Sequence, residues 1–234
     1  MKVTILSDNI GCGALKGEWG LSFHMEFNGR RYLLDTGGSA LFLRNAEELG
    51  ISIADVDCAV LSHAHYDHSL GMEAFFRTNS KADFFVSPNA RENCYSGPGL
   101  LKRYIGLPKG LLRKYRDRIK TPSGVTEIDK DVFIIPHSGD GLVIFNSCSH
   151  SGADMVMDEV GRAFPGEQVK AYLGGLHLFR MDETEVREMA RKIRDAGIHR
   201  VITGHCTGDM AFAVLKSCLG ESMDQFHCGM VIDL

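Results

Sequence analysis

Three histidines and one aspartate fall within six positions of the stretch 60–68, Val60-Leu61-Ser62-His63-Ala64-His65-Tyr66-Asp67-His68. The apolar residues 59–61 predict the end of a buried strand, and residues 69–77 predict a helix. Side chains two apart on a strand point the same way, so His63 and His65 would lie side by side. Asp67 and His68 follow the turn and can face the same point. Imidazole with carboxylate suits zinc, with iron and manganese as alternatives.

Further histidines follow three later strands. His150 comes after an apolar strand at 142–145, His177 after 171–173 and His205 after 200–203. Helices are predicted after each of them, to residue 164, over 183–196 and over 209–219. The carboxyl ends of strands in layered α/β folds lie on one side of the sheet. We therefore expect these histidines to converge with the stretch 60–68, and we interpret His137, His199 and His227 as ordinary histidines.

The segment 21–37 predicts a hairpin. Apolar and polar residues alternate over 21–28, and Asn28-Gly29 is a strong two-residue turn signal. His24 falls on the polar side of this alternation, which predicts a solvated side chain. The returning strand ends at Asp35, whose carboxylate could accept hydrogen bonds from the metal-binding loop or cap a helix at 39–49. The sequence leaves these two roles of Asp35 open.

A basic segment spans residues 89–120 of an otherwise acidic chain. One interpretation is a solvated, partly helical insertion; the other is a mobile lid whose field attracts an anionic substrate. The basic segment 89–120 has two acidic residues, Glu92 and Asp117, and nine basic ones: Arg91, Lys102, Arg103, Lys109, Arg113, Lys114, Arg116, Arg118 and Lys120.

At the end of the printed sequence, residues 226–234 predict a closing strand.

Composition narrows the class of protein. The 234 residues suit one large α/β domain or two small ones, and we predict a single domain, 1–234. A net charge of −4 argues against nucleic acid as a partner. No segment is apolar enough to predict a membrane span or a signal peptide. Seven cysteines without a C-x-x-C pair predict a reduced, cytoplasmic protein. A homo-oligomer remains open.

The His-Ala-His-Tyr-Asp-His run resembles the H-x-H-x-D-H signature of the metallo-β-lactamase superfamily. The chain is most similar to its branch of "metal-dependent hydrolases of the β-lactamase superfamily II". The resemblance implies an α/β fold, an αββα four-layer sandwich with the site along one edge. Further stretches similar to that branch are Gly20-Leu21-Ser22-Phe23, Asp35-Thr36-Gly37, Cys148-Ser149-His150, Gly174-Gly175-Leu176-His177-Leu178 and Gly204-His205-Cys206-Thr207-Gly208.

The resemblance also implies a ligand set. The first metal would be held by His63, His65 and His150, and the second by Asp67, His68 and His205. Asp35 would support the metal loop. The superfamily usually adds a bridging aspartate where this chain has His177.

His177 therefore takes part directly, or the second site is weak, or one metal is used; a packed histidine bonded to a backbone carbonyl is the alternative. Cys148 and Cys206 lie near ligands in sequence, and alternation would bring the Cys148 thiol toward the metal. Buried cysteines at strand ends are nevertheless common, which favours a packing role.

These residues predict a hydrolase that uses metal-activated water on an anionic or phosphorylated small molecule, with one or two zinc ions. Asp67 would orient or deprotonate the water, or hold the second metal. One alternative is a transferase that joins a dihydropterin to a phosphorylated ribofuranosyl-aminobenzene, as archaeal members of the branch do. Others are a di-iron redox enzyme, which carries glutamate at the position of His65, and a metal-binding sensor without turnover. The substrate-binding residues are not predicted.

Overall fold

The computed structural model describes residues 1–88, 90, 94–97, 102–122, 127–129, 132–133, 137–138 and 141–234. The chain divides into two compact units, which we call the first unit (residues 1–123 with 227–234) and the second unit (residues 124–226). A single domain over 1–234 stays a prediction.

The strands and helices of the first unit follow the predicted order. Its strands are β1 (Lys2–Ser7), β2 (Ser22–Phe27), β3 (Arg30–Leu34), β4 (Cys58–Leu61), β5 (Asp83–Val86), β6 (Tyr95–Ser96), β7 (Arg103–Tyr104), β8 (Ile119–Lys120) and, near the end of the chain, β16 (Val231–Asp233). Its helices are α1 (Leu41–Glu48), α2 (Tyr66–Ser69), α3 (Met72–Thr78) and α4 (Leu111–Lys114).

Seven described strands of the first unit form one mixed sheet in the order β16-β1-β2-β3-β4-β5-β8. β1 pairs antiparallel with β16 and β2, and β2 with β3. β4 is parallel to β3 and β5. The β2–β3 turn is the predicted one, since Asn28 and Gly29 both have positive φ, 50° and 75°. The parallel pairing leaves the carboxyl ends of β3 and β4 at the same edge.

Helices α1 and α3 pack on this sheet. Phe42 and Ala46 of α1 and Phe75 of α3 are buried in one cluster with Leu33 of β3 and Ala59 of β4. The sequence supplies these contacts through the apolar side of each short helix. The cluster anchors the strands whose ends carry Asp35 and the stretch 62–68.

The prediction of a solvated His24 is wrong. The side chain is 2% exposed, and neither ring nitrogen makes a hydrogen bond to a described residue. His24 is paired across the sheet with Thr4 and Leu33, both buried. The alternation of apolar and polar residues correctly assigned the side chains of β2 to two faces of the sheet. At His24, however, both faces are buried.

The basic segment 89–120 is described in part. Residues 89, 91–93 and 98–101, with Arg91 among them, lie outside the described residues. The remainder is not simply solvated: Leu107 and Leu111 are buried in the same cluster as α1 and α3, and β8 pairs with β5. The Arg118 side chain donates to the Ala82 carbonyl oxygen at 3.0 Å. A role as a lid stays a prediction.

The second unit contains the remaining elements. Its strands are β9 (Glu127–Asp129), β10 (Val132–Phe133), β11 (His137–Ser138), β12 (Gly141–Cys148), β13 (Val169–Gly175), β14 (Arg200–Thr203) and β15 (Met223–Gln225). Its helices are α5 (Ala153–Ala163), α6 (Glu183–Asp195) and α7 (Asp209–Leu219).

Five described strands form the sheet of this unit in the order β11-β12-β13-β14-β15. β12, β13, β14 and β15 run parallel to one another, and β11 pairs antiparallel with β12. Helices α5, α6 and α7 bury Val160, Val186 and Leu215 against Tyr172 and Val201 of the sheet. The α6 helix begins with a reciprocal capping box, in which Asp182 accepts from Glu185 N and Glu185 accepts from Asp182 N.

The predicted closing strand over 226–234 is wrong in extent. β15 ends at Gln225 and pairs with β14, whereas β16 begins only at Val231 and pairs with β1. Between them the backbone turns at Gly229, whose φ is 80°. Within the predicted stretch only residues 231–233 form a strand, β16.

No helix within the described parts of the chain is long and apolar enough to cross a membrane.

The buried His24 predicts acid-sensitive stability. Burial lowers its pKa from 6.5, and the attraction of Glu26 only partly offsets this. The unfolded chain therefore binds the proton more readily, so stability is present above about pH 6.5 and is lost as the pH falls through the lower pKa of the folded state.

We expect the thermal midpoint to fall less between pH 7 and 5 in His24→Leu than in the unsubstituted protein. Circular dichroism melts at each pH measure this. His199 is exposed, so His199→Gln is the matched control and should keep the original pH dependence. Parallel pH profiles for His24→Leu and the unsubstituted protein would contradict the assignment.

Candidate functional site

The predicted metal-binding loop leaves the carboxyl end of β4. Its first part, residues 62–65, is irregular rather than strand, and α2 begins at Tyr66. The rings of His63 and His65 nevertheless lie edge to face with centroids 4.7 Å apart, and those of His63 and His68 lie 4.2 Å apart. The first unit thus brings three of the predicted histidines together.

Asp35 at the end of β3 fixes this loop. Its buried carboxylate accepts from Ser62 N at 2.8 Å and from Ser62 Oγ at 2.7 Å, and contacts His68 Nδ1 at 2.8 Å. Asp35 has φ 59°, a left-handed conformation that aspartate tolerates better than most residues. The observed bonds fit the loop-supporting role of Asp35, since they reach the loop and not helix α1.

His68 and Asp67 lie in the interior of the loop. Both are buried, and the Asp67 Oδ2 atom lies 3.7 Å from His68 Nε2. The Nδ1 side of His68 faces Asp35, so the Nε2 side faces the Asp67 carboxylate. A histidine bonded to a carboxylate through one nitrogen is the usual arrangement of a metal ligand.

In the second unit, β12, β13 and β14 deliver the other predicted residues. His150 is exposed after β12, His177 is half-buried after β13, and His205 is buried in the 3-10 turn His205–Thr207 after β14. The rings of His150 and His177 lie 4.3 Å apart. The parallel pairing explains this, because it places the three strand ends at one edge.

Buried hydroxyl groups hold these strand ends. Ser149 Oγ donates to the Gly175 carbonyl oxygen at 2.9 Å and contacts the hydroxyl of the buried Tyr172 at 2.8 Å. Burial raises the pKa of Tyr172 to about 12, so its hydroxyl stays protonated. Thr207 Oγ1 accepts from Leu176 N at 3.0 Å. These bonds tie the loops of His150, His177 and His205 to one another.

Two cysteines lie beside His177. Cys148 Sγ is 3.3 Å from His177 Nδ1 and 2.8 Å from Cys206 Sγ. The Cys148 thiol, for which the sequence favoured a packing role, thus lies beside a predicted metal ligand of the same unit. His177 makes this thiol contact rather than the backbone bond considered above.

The environment of Cys206 favours its thiolate. Burial opposes ionisation, but hydrogen bonds from Cys148 and His177 and the charges of His205 and His177 outweigh burial and lower the pKa to about 5. Thiolate is the form in which cysteine binds metals.

Both units therefore offer donors that fit a transition metal. The first unit presents three clustered imidazoles beside a buried carboxylate, with one imidazole oriented by Asp35. The second presents imidazoles and thiols at one sheet edge. Imidazole, thiolate and carboxylate in this mixture suit zinc and other first-row metals rather than magnesium or calcium.

Comparison with known proteins agrees with this chemistry. The model of the family described as "Metallo-beta-lactamase superfamily" matches residues 20–205. That match covers Asp35 and every predicted metal ligand. The chain belongs to the metallo-β-lactamase superfamily, and the predicted family is confirmed.

Among curated proteins, two from Methanocaldococcus jannaschii are similar. One is named 7,8-dihydropterin-6-methyl-4-(beta-D-ribofuranosyl)-aminobenzene-5'-phosphate synthase; it is 25% identical over 261 residues, which cover 91% of this chain and 89% of the relative. The other is an uncharacterised protein, 26% identical over 99% of this chain and 100% of the relative.

Among solved structures, Tm1679, described as a metal-dependent hydrolase of the beta-lactamase superfamily, has a TM-score of 0.84 at 22% identity. The alignment covers 100% of this chain and 99% of that one. YhfI from Bacillus subtilis, a metallo-beta-lactamase fold protein, has a TM-score of 0.64 at 14% identity over 99% and 98% of the two chains. The predicted α/β fold class is confirmed.

The Asp35 geometry makes a testable prediction. Asp35→Asn keeps one carbonyl oxygen for Ser62 but removes the charge that faces His68, so we expect metal affinity to fall about 10–100-fold. Competition with a coloured chelator measures this. Asp57→Asn is the control, because Asp57 also accepts a backbone N–H bond, from Arg31 at 2.9 Å, just before the opposite end of β4. Equal affinities of the two variants would contradict the role of Asp35.

Proposed function

We propose that this protein is a metal-dependent hydrolase that acts on an anionic or phosphorylated small molecule. The observation that carries the proposal is the cluster of His63, His65 and His68 beside Asp67, held by Asp35, in a chain of the metallo-β-lactamase superfamily. Tm1679, similar in fold over the whole chain, is described as a metal-dependent hydrolase.

The proposed ligands are the seven predicted residues His63, His65, Asp67, His68, His150, His177 and His205. Zinc is the proposed metal, as one ion or two, with iron or manganese as the alternatives. When bound, such an ion lowers the pKa of a water molecule toward about 7 and polarises the bond to be broken.

The chain supplies orientation and proton transfer. Asp35 holds the backbone of Ser62 and the ring of His68, so the imidazole cluster is organised before a ligand arrives. Asp67 is buried beside His68. In the proposed mechanism its carboxylate orients the attacking water or accepts its proton.

An anionic substrate is supported by two features. The segment 102–120 carries Lys102, Arg103, Lys109 and Arg113 besides the basic residues that hold the fold. The synthase-named relative has a phosphate in the compound of its name. We also propose that the protein works in the cytoplasm on a free small molecule rather than on nucleic acid or membranes; a homo-oligomer stays open.

The hydrolase proposal predicts loss of activity on metal removal. We expect chelation to abolish hydrolysis of nitrophenyl phosphate monoesters and diesters, zinc to restore it, and Asp67→Asn to lower kcat by about 100-fold or more. Asp55→Asn, an exposed substitution, is the control and should keep full activity.

Metal content of the Asp67→Asn variant then separates the two roles of the carboxylate. Unchanged metal with lost turnover identifies a proton acceptor, and lost metal identifies a ligand. Full turnover in the metal-free protein would contradict the proposal that the hydrolase depends on metal.

A transferase is the second candidate, favoured by the synthase-named relative, which aligns with 91% of this chain. We expect a transferase to join a dihydropterin to a phosphorylated ribofuranosyl-aminobenzene. Mass spectrometry of the mixture distinguishes the functions, since a transferase gives the joined product and a hydrolase gives cleavage products of the single substrates. Absence of the joined product with metal-loaded protein would exclude this candidate.

A further inference from the structure

The second unit contains a side-chain cluster that the hydrolase proposal does not use in full. Cys148 at the end of β12, His177 after β13 and Cys206 after β14 converge although they are distant in sequence. Their ligating atoms, two Sγ and one imidazole nitrogen, all lie within 4.8 Å of one another. Within the cluster, Cys148 Sγ is 2.8 Å from Cys206 Sγ and 3.3 Å from His177 Nδ1.

Two bonded arrangements bring two sulfur atoms close together, ligation of one ion and a disulfide. Two sulfurs bound to a tetrahedral zinc lie about 3.8 Å apart, given a Zn–S distance of about 2.3 Å. A disulfide requires about 2.05 Å. The observed 2.8 Å lies between these values, so sulfur separation does not decide the question. The third donor does, because a disulfide has no need of an imidazole nitrogen beside its sulfur atoms.

The backbone is shaped to admit the Cys206 sulfur. A β-carbon on Gly175 would lie 2.4 Å from Cys206 Sγ and 2.8 Å from the Ser147 carbonyl oxygen, so a larger residue there would displace the thiol. His177 and His205, the latter next to Cys206, have φ of 55° and 49°. Non-glycine residues rarely adopt this conformation, and it persists where the surroundings enforce it.

Hydroxyl groups enforce it here. Thr203 Oγ1 donates to the Gly174 carbonyl oxygen at 2.7 Å and lies 2.6 Å from Thr207 Oγ1. Thr207 also binds Leu176 N, next to His177. The two turns that carry His177 and Cys206 are therefore held together by groups other than the cluster itself.

We propose that Cys148, His177 and Cys206 form a thiolate-containing metal site of the second unit that takes zinc or a softer ion such as cadmium or copper(I). Two sulfurs and one nitrogen are soft and borderline donors, which disfavour magnesium, calcium and manganese. Three protein ligands leave a fourth position for water or another donor. The proposal shares His177 with the ligand set proposed for the hydrolase, but it concerns metal–sulfur bonds and is tested without turnover.

Cobalt(II) absorption tests the site in the full chain. The metal-free, reduced protein is titrated with cobalt(II), and thiolate ligation gives an intense near-ultraviolet charge-transfer band. We expect this band in the unsubstituted protein, about half of it in Cys148→Ser and in Cys206→Ser, and none in the double variant. His177→Ala should weaken cobalt binding by at least about 10-fold.

Two controls keep the test decisive. Cys228→Ser removes a thiol of the first unit that is as buried as that of Cys206, and it should keep the full band. Gly175→Ala keeps every cysteine but crowds Cys206 Sγ, so it should lose the band if it retains its circular dichroism spectrum. If Gly175→Ala fails to fold, the serine variants decide alone.

The possible outcomes distinguish a thiolate metal site from a disulfide-forming pair and from metal binding without thiolate. A full band in the double serine variant, or bound cobalt without any band, overturns the proposal. A disulfide-forming pair would give a different result. Before reduction, two thiols would be protected from alkylation, and Cys148→Ser would abolish this protection. After reduction, no cobalt band would appear. Loss of the band in the serine variants supports the site whether or not the protein proves to be a hydrolase.

Discussion

A single buried carboxylate organises the candidate metal-binding loop. Asp35 is fully buried, and an ion in that position is costly unless its lone pairs are satisfied. The backbone N–H and hydroxyl of Ser62 and the ring of His68 satisfy them. Thr36 adds its N–H and hydroxyl to the His68 carbonyl oxygen, at 2.8 and 3.0 Å. The end of β3 thus determines the path of the chain after β4, and the positions of the histidine rings follow from it.

In the second unit, neutral groups rather than a buried carboxylate fix the turns that carry the candidate ligands. Its ligand-bearing turns follow three parallel strands, and hydroxyls rather than a carboxylate connect them: Tyr172 with Ser149, and Thr203 with Thr207. Each hydroxyl bonds a backbone group or another hydroxyl, so no ion needs to be buried for the turns to be fixed. The side chains near these turns that can carry charge are therefore the imidazoles and the thiols, which can also bind a ligand.

Much of the fold and of the candidate site could be predicted from local sequence pattern and one motif. Periodicity predicted the strands and helices around each histidine, and the H-x-H-x-D-H run predicted the family. The failures have one cause, which is that long-range pairing is invisible in a local pattern. Alternation separated the faces of β2 without showing that the His24 face is covered. Residues 226–234 look like one strand, but only 231–233 pair with β1, and the residues before them form a turn at Gly229. Cys148 and Cys206, 58 positions apart, meet because the parallel strands β12, β13 and β14 end at the same edge of their sheet.

Backbone strain gives support that is independent of the motif. Among the described residues, four non-glycine residues have positive φ: Asn28, Asp35, His177 and His205. Asn28 lies in a hairpin that requires this conformation, whereas the other three are residues predicted to bind or support metal. The left-handed backbone conformation costs a non-glycine residue about 1–2 kcal/mol. Burial at a strand end does not by itself require this conformation. Such strain is retained where a side chain must point in one direction. Its concentration at Asp35, His177 and His205 indicates that the directions of these side chains are under constraint, whichever reaction the protein performs.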